Sequence, residues 1–171
     1  MFSKTPKPKN GGAKIICLCC LIVGTLLFIF AGAQKIALPV FAQIISIVLF
    51  TASIYIASCY LLREYTFSVE SSNIAGETIP DFVIYEKRGK RSITVCRLGL
   101  DEITYVEKVD KTNIKSIQAQ RKTMRRYRYN VQFAEGRFTE IRTNDNISVF
   151  ITFDEEFHVY LCGQVEKYSK K

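Results

Sequence analysis

The chain has 171 residues, a formal net charge of +8 and 48% hydrophobic residues, and all 16 acidic residues lie from Glu64 onward. That asymmetry excludes one ordinary soluble domain, because only Arg63 to Lys171 remain to build an aqueous core. About 110 residues can bury a core unaided, so neither a structural zinc nor a disulfide framework is required.

Residues 1–14 read as a basic disordered tail, kept extended by Pro6 and Pro8 and broken at Gly11-Gly12. Lys4, Lys7, Lys9 and Lys14 precede the first apolar run, as the positive-inside rule expects of a cytoplasmic segment. Each lysine near a membrane surface adds roughly 1 kcal/mol of attraction to anionic lipid.

Ile15 to Ala33, IICLCCLIVGTLLFIFAGA, holds 19 uncharged residues, or roughly 28 Å of helix, close to the thickness of a hydrocarbon core. A second apolar run, Ile36 to Leu62, starts its helix at Pro39, because proline fits the first helical turn and keeps the preceding residue out of the helix. The segment around Gly32 to Leu38, with Gln34 and Lys35, is then a tight turn, and residues 15–62 form an antiparallel hairpin of two spans, about 15–33 and 39–62. Charge counting puts both termini in the cytoplasm and the protein in the cell membrane. A competing reading takes residues 1–33 as a signal peptide, since Ala31-Gly32-Ala33 resembles an A-x-A cleavage site, and leaves one outward-facing span.

Neither span contains Asp, Glu, Lys, Arg or His, which argues for an anchor and against a pump or transporter acting alone. Gln43 and the hydroxyls can bond to backbone or to the neighbouring helix, and Tyr55, Tyr60 and Tyr65 fit an interfacial aromatic belt. Four of the six cysteines, Cys17, Cys19, Cys20 and Cys59, lie in the spans. The C-x-C-C spacing points its thiols to different helix faces, so no metal site is expected, and Cys96 and Cys162 stay reduced in a cytoplasm.

From Tyr65 the pattern shifts to short runs rich in Tyr, Phe, Val, Ile and Thr, which predicts strands near 65–70, 81–88, 91–98, 102–109, 128–134, 138–143 and 147–153. Two alternate: Tyr129, Val131 and Phe133 against Asn130 and Gln132, and Ile147, Val149, Ile151 and Phe153. Turns are expected at Arg88-Gly89-Lys90, Glu135-Gly136 and Asn144-Asp145-Asn146. A terminal helix follows, capped by Asp154, with Glu155 and Glu156 at its positive end and Phe157, Leu161 and Val165 as its apolar stripe. Gly163 costs about 1 kcal/mol in mid-helix, so a close approach to the sheet is expected there, and large residues at Cys162 or Gly163 should destabilise.

The stretch DFVIYEKRGKRSITVCRLGLDEITYVEKV, 81–109, looks like the early strands of bacterial pleckstrin-homology-like (PH-like) domains, with a charged hairpin around a glycine and a following segment from Leu98 to Ile103. ISVFITFDEEFHVYL, 147–161, looks like their last strand running into the closing helix. The resemblance covers most of residues 65–168. It implies an α+β fold: a transmembrane helical hairpin, then, over 63–171, a seven-stranded antiparallel, partly open β-barrel capped by a C-terminal helix. It implies a binding or scaffolding module and supplies no catalytic residue.

Two basic clusters are candidate anion sites: Arg121, Lys122, Arg125, Arg126 and Arg128 within QRKTMRRYRY, and Lys87, Arg88, Lys90 and Arg91 around Gly89. In PH-like domains, basic loops near the open end of the barrel can receive phosphoinositide-type headgroups. The plain alternative is a solvated loop or short helix for the first cluster and a solubilising edge hairpin for the second; their falling at the same end of the barrel would favour anion binding. Five charges beside a balanced domain fall short of the basic face of a nucleic-acid binder, although Arg and Tyr interleave there. His158, the lone histidine, reads as a core-edge or surface residue, and Asp154-Glu155-Glu156 as helix-start acids. No phosphate loop, zinc motif or nucleophile elbow appears, so no catalytic residue and no cofactor is expected. The expected function is a non-catalytic, cytoplasm-facing module on a membrane anchor that engages a protein partner or anionic lipid. The alternative is an accessory or assembly subunit acting through its transmembrane helices.

Overall fold

The computed structural model describes residues 2–6, 10–33, 38–74, 77–110, 112–113, 124–130 and 136–168. It separates into two units, Lys9–Arg63 and the combination of Met1–Pro8 with Glu64–Lys171.

In the first unit, α1 (Gly11–Gly32) and α2 (Pro39–Ile56) pack side by side, and a π-helical turn, Ala57–Leu61, continues α2. Both are long and apolar enough to cross a membrane, with mean hydropathy 2.8 in an 18-residue window of Gly11–Gly32 and 2.1 in one of Pro39–Leu61. Pro39 occupies the first helical turn, as expected. Gly11-Gly12, expected to be a flexible break, lies inside α1 instead: Lys14 N–H bonds to the Asn10 carbonyl, and the Asn10 side chain donates to the Tyr60 carbonyl. The helices meet through small residues, Ala13, Cys17, Gly24 and Ala31 against Ala42, Ser46 and Ser53. A Cβ at Gly24 would stand 3.1 Å from Phe50 Cε1, so glycine sets that approach. The turn residues 34–37 lie outside the described residues.

The second unit is α+β. Strands β1 (Phe2–Lys4), β2 (Arg63–Ile74), β3 (Glu77–Arg88) and β4 (Arg91–Gly99) form one sheet in the order β1-β2-β3-β4. Strands β5 (Ile103–Asp110), β6 (Arg125–Tyr129), β7 (Arg137–Thr143) and β8 (Ile147–Thr152) form another in the order β5-β7-β8-β6. The terminal helix is α3 (Glu155–Tyr168). Phe67, Phe82 and Ile84 of the first sheet, Ile103, Ile141, Val149 and Ile151 of the second, and Phe157, Leu161 and Val165 of α3 make one core. Asp154 caps α3 through Oδ1, which accepts the Phe157 N–H at 3.0 Å. Gly89 and Asn146 take positive φ, +59° and 57°, at the two expected hairpin turns.

Several expectations are corrected. In place of the expected seven-stranded, partly open barrel, the described strands form two sheets of four strands each, and the tail is not wholly disordered: Phe2, Ser3 and Lys4 pair with Val69, Ser68 and Phe67. Phe2 also stacks on Tyr160, ring centroids 4.4 Å apart, which gives this short strand its hydrophobic anchor. The pairing is not wholly antiparallel, because β6 runs parallel to β8, Arg125 opposite Ile147 and Tyr129 opposite Ile151. That strand starts earlier than expected, and Val131, Gln132, Phe133 and Glu135 fall outside the described residues. Tyr65 is a buried core residue, packed edge-on to Tyr129 at 5.8 Å, instead of a belt residue. Gly163 has open space where a Cβ would project, so no close approach accounts for it.

Candidate anion-binding surface

The β3–β4 hairpin builds the more open of the two basic clusters. Every residue from Lys87 to Thr94 is exposed, so the hairpin tip turns its side chains to solvent, and Ile93 is 56% exposed. Arg88 pairs with Arg91 and Lys87 with Ser92 across the turn at Gly89. Glu86, buried at the base, takes the Arg88 guanidinium, while Lys87, Lys90 and Arg91 extend the cationic tip. Because β3 runs back along β2 from their connection after Ile74, this tip returns to the end of the sheet where β2 begins, at Arg63.

The described part of the second cluster is a strand, not a loop or helix. Arg121 and Lys122 lie outside the described residues, and Arg125, Arg126 and Arg128 sit on edge strand β6. Strand alternation puts Arg126 and Arg128 on one face, where the Arg128 guanidinium lies 6.0 Å from the Phe150 ring, and Tyr127 and Tyr129 on the other. Arg125 N–H bonds to the Asn146 carbonyl at 3.0 Å, and Asn144 N–H to the Glu102 carbonyl at 3.1 Å. Arg125 is thus at the end holding the β4–β5 and β7–β8 turns. The Gly89 hairpin is at the other end of β4, whose nine residues cover about 26 Å at ~3.3 Å per residue. Among the described residues, Arg125 and the Gly89 hairpin do not share one end.

Of the N-terminal lysines, Lys4 is spent within the β unit, bonded to Glu156 and 4.0 Å from Asp154 at the start of α3. The hydrogen bond to Glu156 holds its ammonium above the usual range. Lys14 is exposed on the first turns of α1, and Lys7 and Lys9 lie outside the described residues.

Two polar groupings were not anticipated. On the outer face of the second sheet, Glu140, 1% exposed, accepts hydrogen bonds from Ser148 Oγ at 2.7 Å and Arg142 Nη2 at 3.0 Å; Arg142 also reaches Glu107 at 2.8 Å. On α3, His158 Nε2 lies 3.7 Å from Cys162 Sγ, and His158 Nδ1 lies 3.3 Å from Thr139 Oγ1. The i,i+4 spacing of His158 and Cys162 is visible in the chain, but the meeting with Thr139 is a product of the fold. Burial and then Lys108 push the imidazole pKa down, and burial and then Glu166 push the Cys162 thiol up. Cys96 is pushed up to about 11 by burial alone. Among the described residues, no group of three or more His, Cys, Asp or Glu side chains is placed to hold a metal ion. Comparison with protein-family models, curated proteins and solved structures finds no match to this chain.

Proposed function

We propose that the chain is a PH-like, non-catalytic binding module on a two-span membrane anchor, whose β3–β4 arm engages anionic lipid headgroups while the rest of the domain is free for a protein partner. The observation that carries this reading is the exposed tip, with Lys87, Arg88, Lys90 and Arg91 at the end of the sheet where β2 begins, directly after the last apolar segment. A lysine or arginine near an anionic surface gains roughly 1 kcal/mol. The PH-like assignment draws support from two four-stranded sheets whose shared core is closed by the terminal helix. Pairing of β1 with β2 supports both ends of the helical hairpin lying on one side of the membrane, because these strands precede and follow it. The excess of lysine before α1 makes that side the cytoplasm.

The chain has no tryptophan, so Ile93→Trp makes a single reporter at the root of the arm. In full-length protein reconstituted into nanodiscs, brominated lipid should quench this residue more strongly when anionic lipid is present, and salt should reverse the gain. Replacing Lys87, Arg88, Lys90 and Arg91 with Glu should abolish it. Equal quenching in neutral and anionic discs would overturn the headgroup reading.

A further inference from the structure

We propose that β1 is a strap that completes the β unit only when both ends of the helical hairpin emerge on one side of the membrane, so that folding of the domain is conditional on correct insertion of its anchor. The inference rests on the reading of α1 and α2 as two spans, and it starts from what holds three residues in place.

Strand β1 docks on two elements at once. On β2, Phe2, Ser3 and Lys4 face Val69, Ser68 and Phe67, and Thr5 Oγ1 lies 2.8 Å from Thr66 Oγ1. On α3, the Phe2 ring stacks on Tyr160 at 4.4 Å and on Phe157 at 6.0 Å, and Lys4 bonds to Glu156 with Asp154 4.0 Å away. Strand alternation puts Phe2 and Lys4 on the face that meets α3, so a slip of one residue would lose the stack and the ion pair together. A ladder this short does not hold itself, so docking depends on those two side chains and on the surface that β2 and α3 offer them. Without β1, strand β2 becomes the edge of its sheet and the stacked side of Tyr160 is uncovered.

Connectivity turns this contact into a condition. The chain between β1 and β2 is the whole helical unit, Lys9–Arg63, in which α1 follows β1 and α2 with its π-helical turn precedes β2. Within that unit the two ends lie together, because the Asn10 side chain donates to the Tyr60 carbonyl. Two crossings return the chain to the side it left, and β1 meets its site. One crossing, or three, leaves the site empty: Thr5 to Lys9 reach at most about 18 Å fully extended, short of a hydrocarbon core ~30 Å thick.

The test uses full-length protein in nanodiscs, where thermolysin reaches both faces, and reads cleavage within the core strands of Glu64–Lys171. Phe2→Ala should speed that cleavage at least about tenfold, because proteolysis tracks the opened population. Inserting about 20 Leu and Ala residues between Pro8 and Lys9 adds a third crossing while α1, α2 and the β unit keep their sequence. This chain should be cleaved as fast as Phe2→Ala, and adding Phe2→Ala to it should change nothing. A synthetic peptide of residues 2–6 should slow its cleavage, and the same peptide with Ala in place of Phe should not. If Phe2→Ala leaves the full chain as resistant as the wild type, if the inserted chain resists as the wild type does, or if the peptide gives no protection, the strap is overturned. Deleting residues 39–62 separates that failure from a failure of the two-span reading. With one crossing left, Phe2→Ala should again have no effect; if it still accelerates cleavage at least about tenfold, β1 and β2 remain on one side and α1 is not a span.

Discussion

The phenol of Tyr129 donates a hydrogen bond to the Val95 carbonyl at 3.1 Å and so ties edge strand β6 of one sheet to edge strand β4 of the other. Tyr129→Phe removes the donor and leaves that carbonyl without its phenol partner, at a cost of about 1 kcal/mol, measurable as a lower midpoint in denaturant unfolding.

The same residue gives a pH signature. Burial, then Cys96 and neighbouring tyrosines, raise the Tyr129 phenol to about 12 from its ordinary 10. A group with its pKa raised in the fold contributes stability that is complete below the unfolded value and lost as pH climbs toward the folded one. Stability should therefore decline between pH 10 and about 12. Thermal melts of Tyr129→Phe across that window should show a shallower decline; parallel curves for the two proteins would refute the assignment.

The buried carboxylate of Glu140 and the half-exposed one of Glu107 share Arg142, yet they should respond very differently to removal. Glu140→Ala removes the buried partner of Arg142 and the acceptor of buried Ser148 Oγ, and should cost about 3 kcal/mol or more. Glu107→Ala removes a solvated partner and should cost no more than about 1 kcal/mol. Urea unfolding of the two variants separates them.

Gly163 reverses an inference drawn from propensity. Read in isolation, a mid-helix glycine suggests a backbone approach, and the apolar stripe of α3 points to a neighbouring sheet. The stripe is real, since Phe157, Leu161 and Val165 are buried, but Gly163 faces open space. With no neighbour to clash, Gly163→Ala should raise stability by up to about 1 kcal/mol through helix propensity alone, seen as a higher melting temperature.

What the chain discloses depends on whether the signal is local. The apolar helices, Pro39, the Gly89 turn and the α3 stripe each follow from neighbours in sequence, and the structure has them where patterning puts them. Strand β1 is hidden because its one anchor, Phe2, sits in a proline- and lysine-rich tail, and its partners are more than 60 residues away. Strand β6 is hidden because three arginines mask its alternation, and its parallel pairing with β8 needs a crossover that no local pattern reports. The basic residues could be named from sequence. Their division into an exposed hairpin and a strand packed beside Phe150 could not, because it depends on sheet order.

That division yields the last prediction, in which equal charge changes have unequal consequences. Lys87, Lys90 and Arg91 are all exposed at the hairpin tip, so replacing all three with Glu should leave the unfolding midpoint nearly unchanged. Arg128 lies over Phe150, which is 2% exposed, and Arg126 is half-buried on the same face. Arg126→Glu with Arg128→Glu should therefore destabilise the sheet, by about 1 kcal/mol or more, through lost packing of the guanidinium stems and a lost cation–π contact. Measured side by side in denaturant, the hairpin variant should unfold with the wild type and the β6 variant ahead of it. If the order is reversed, the hairpin is structural and the headgroup reading loses its free surface.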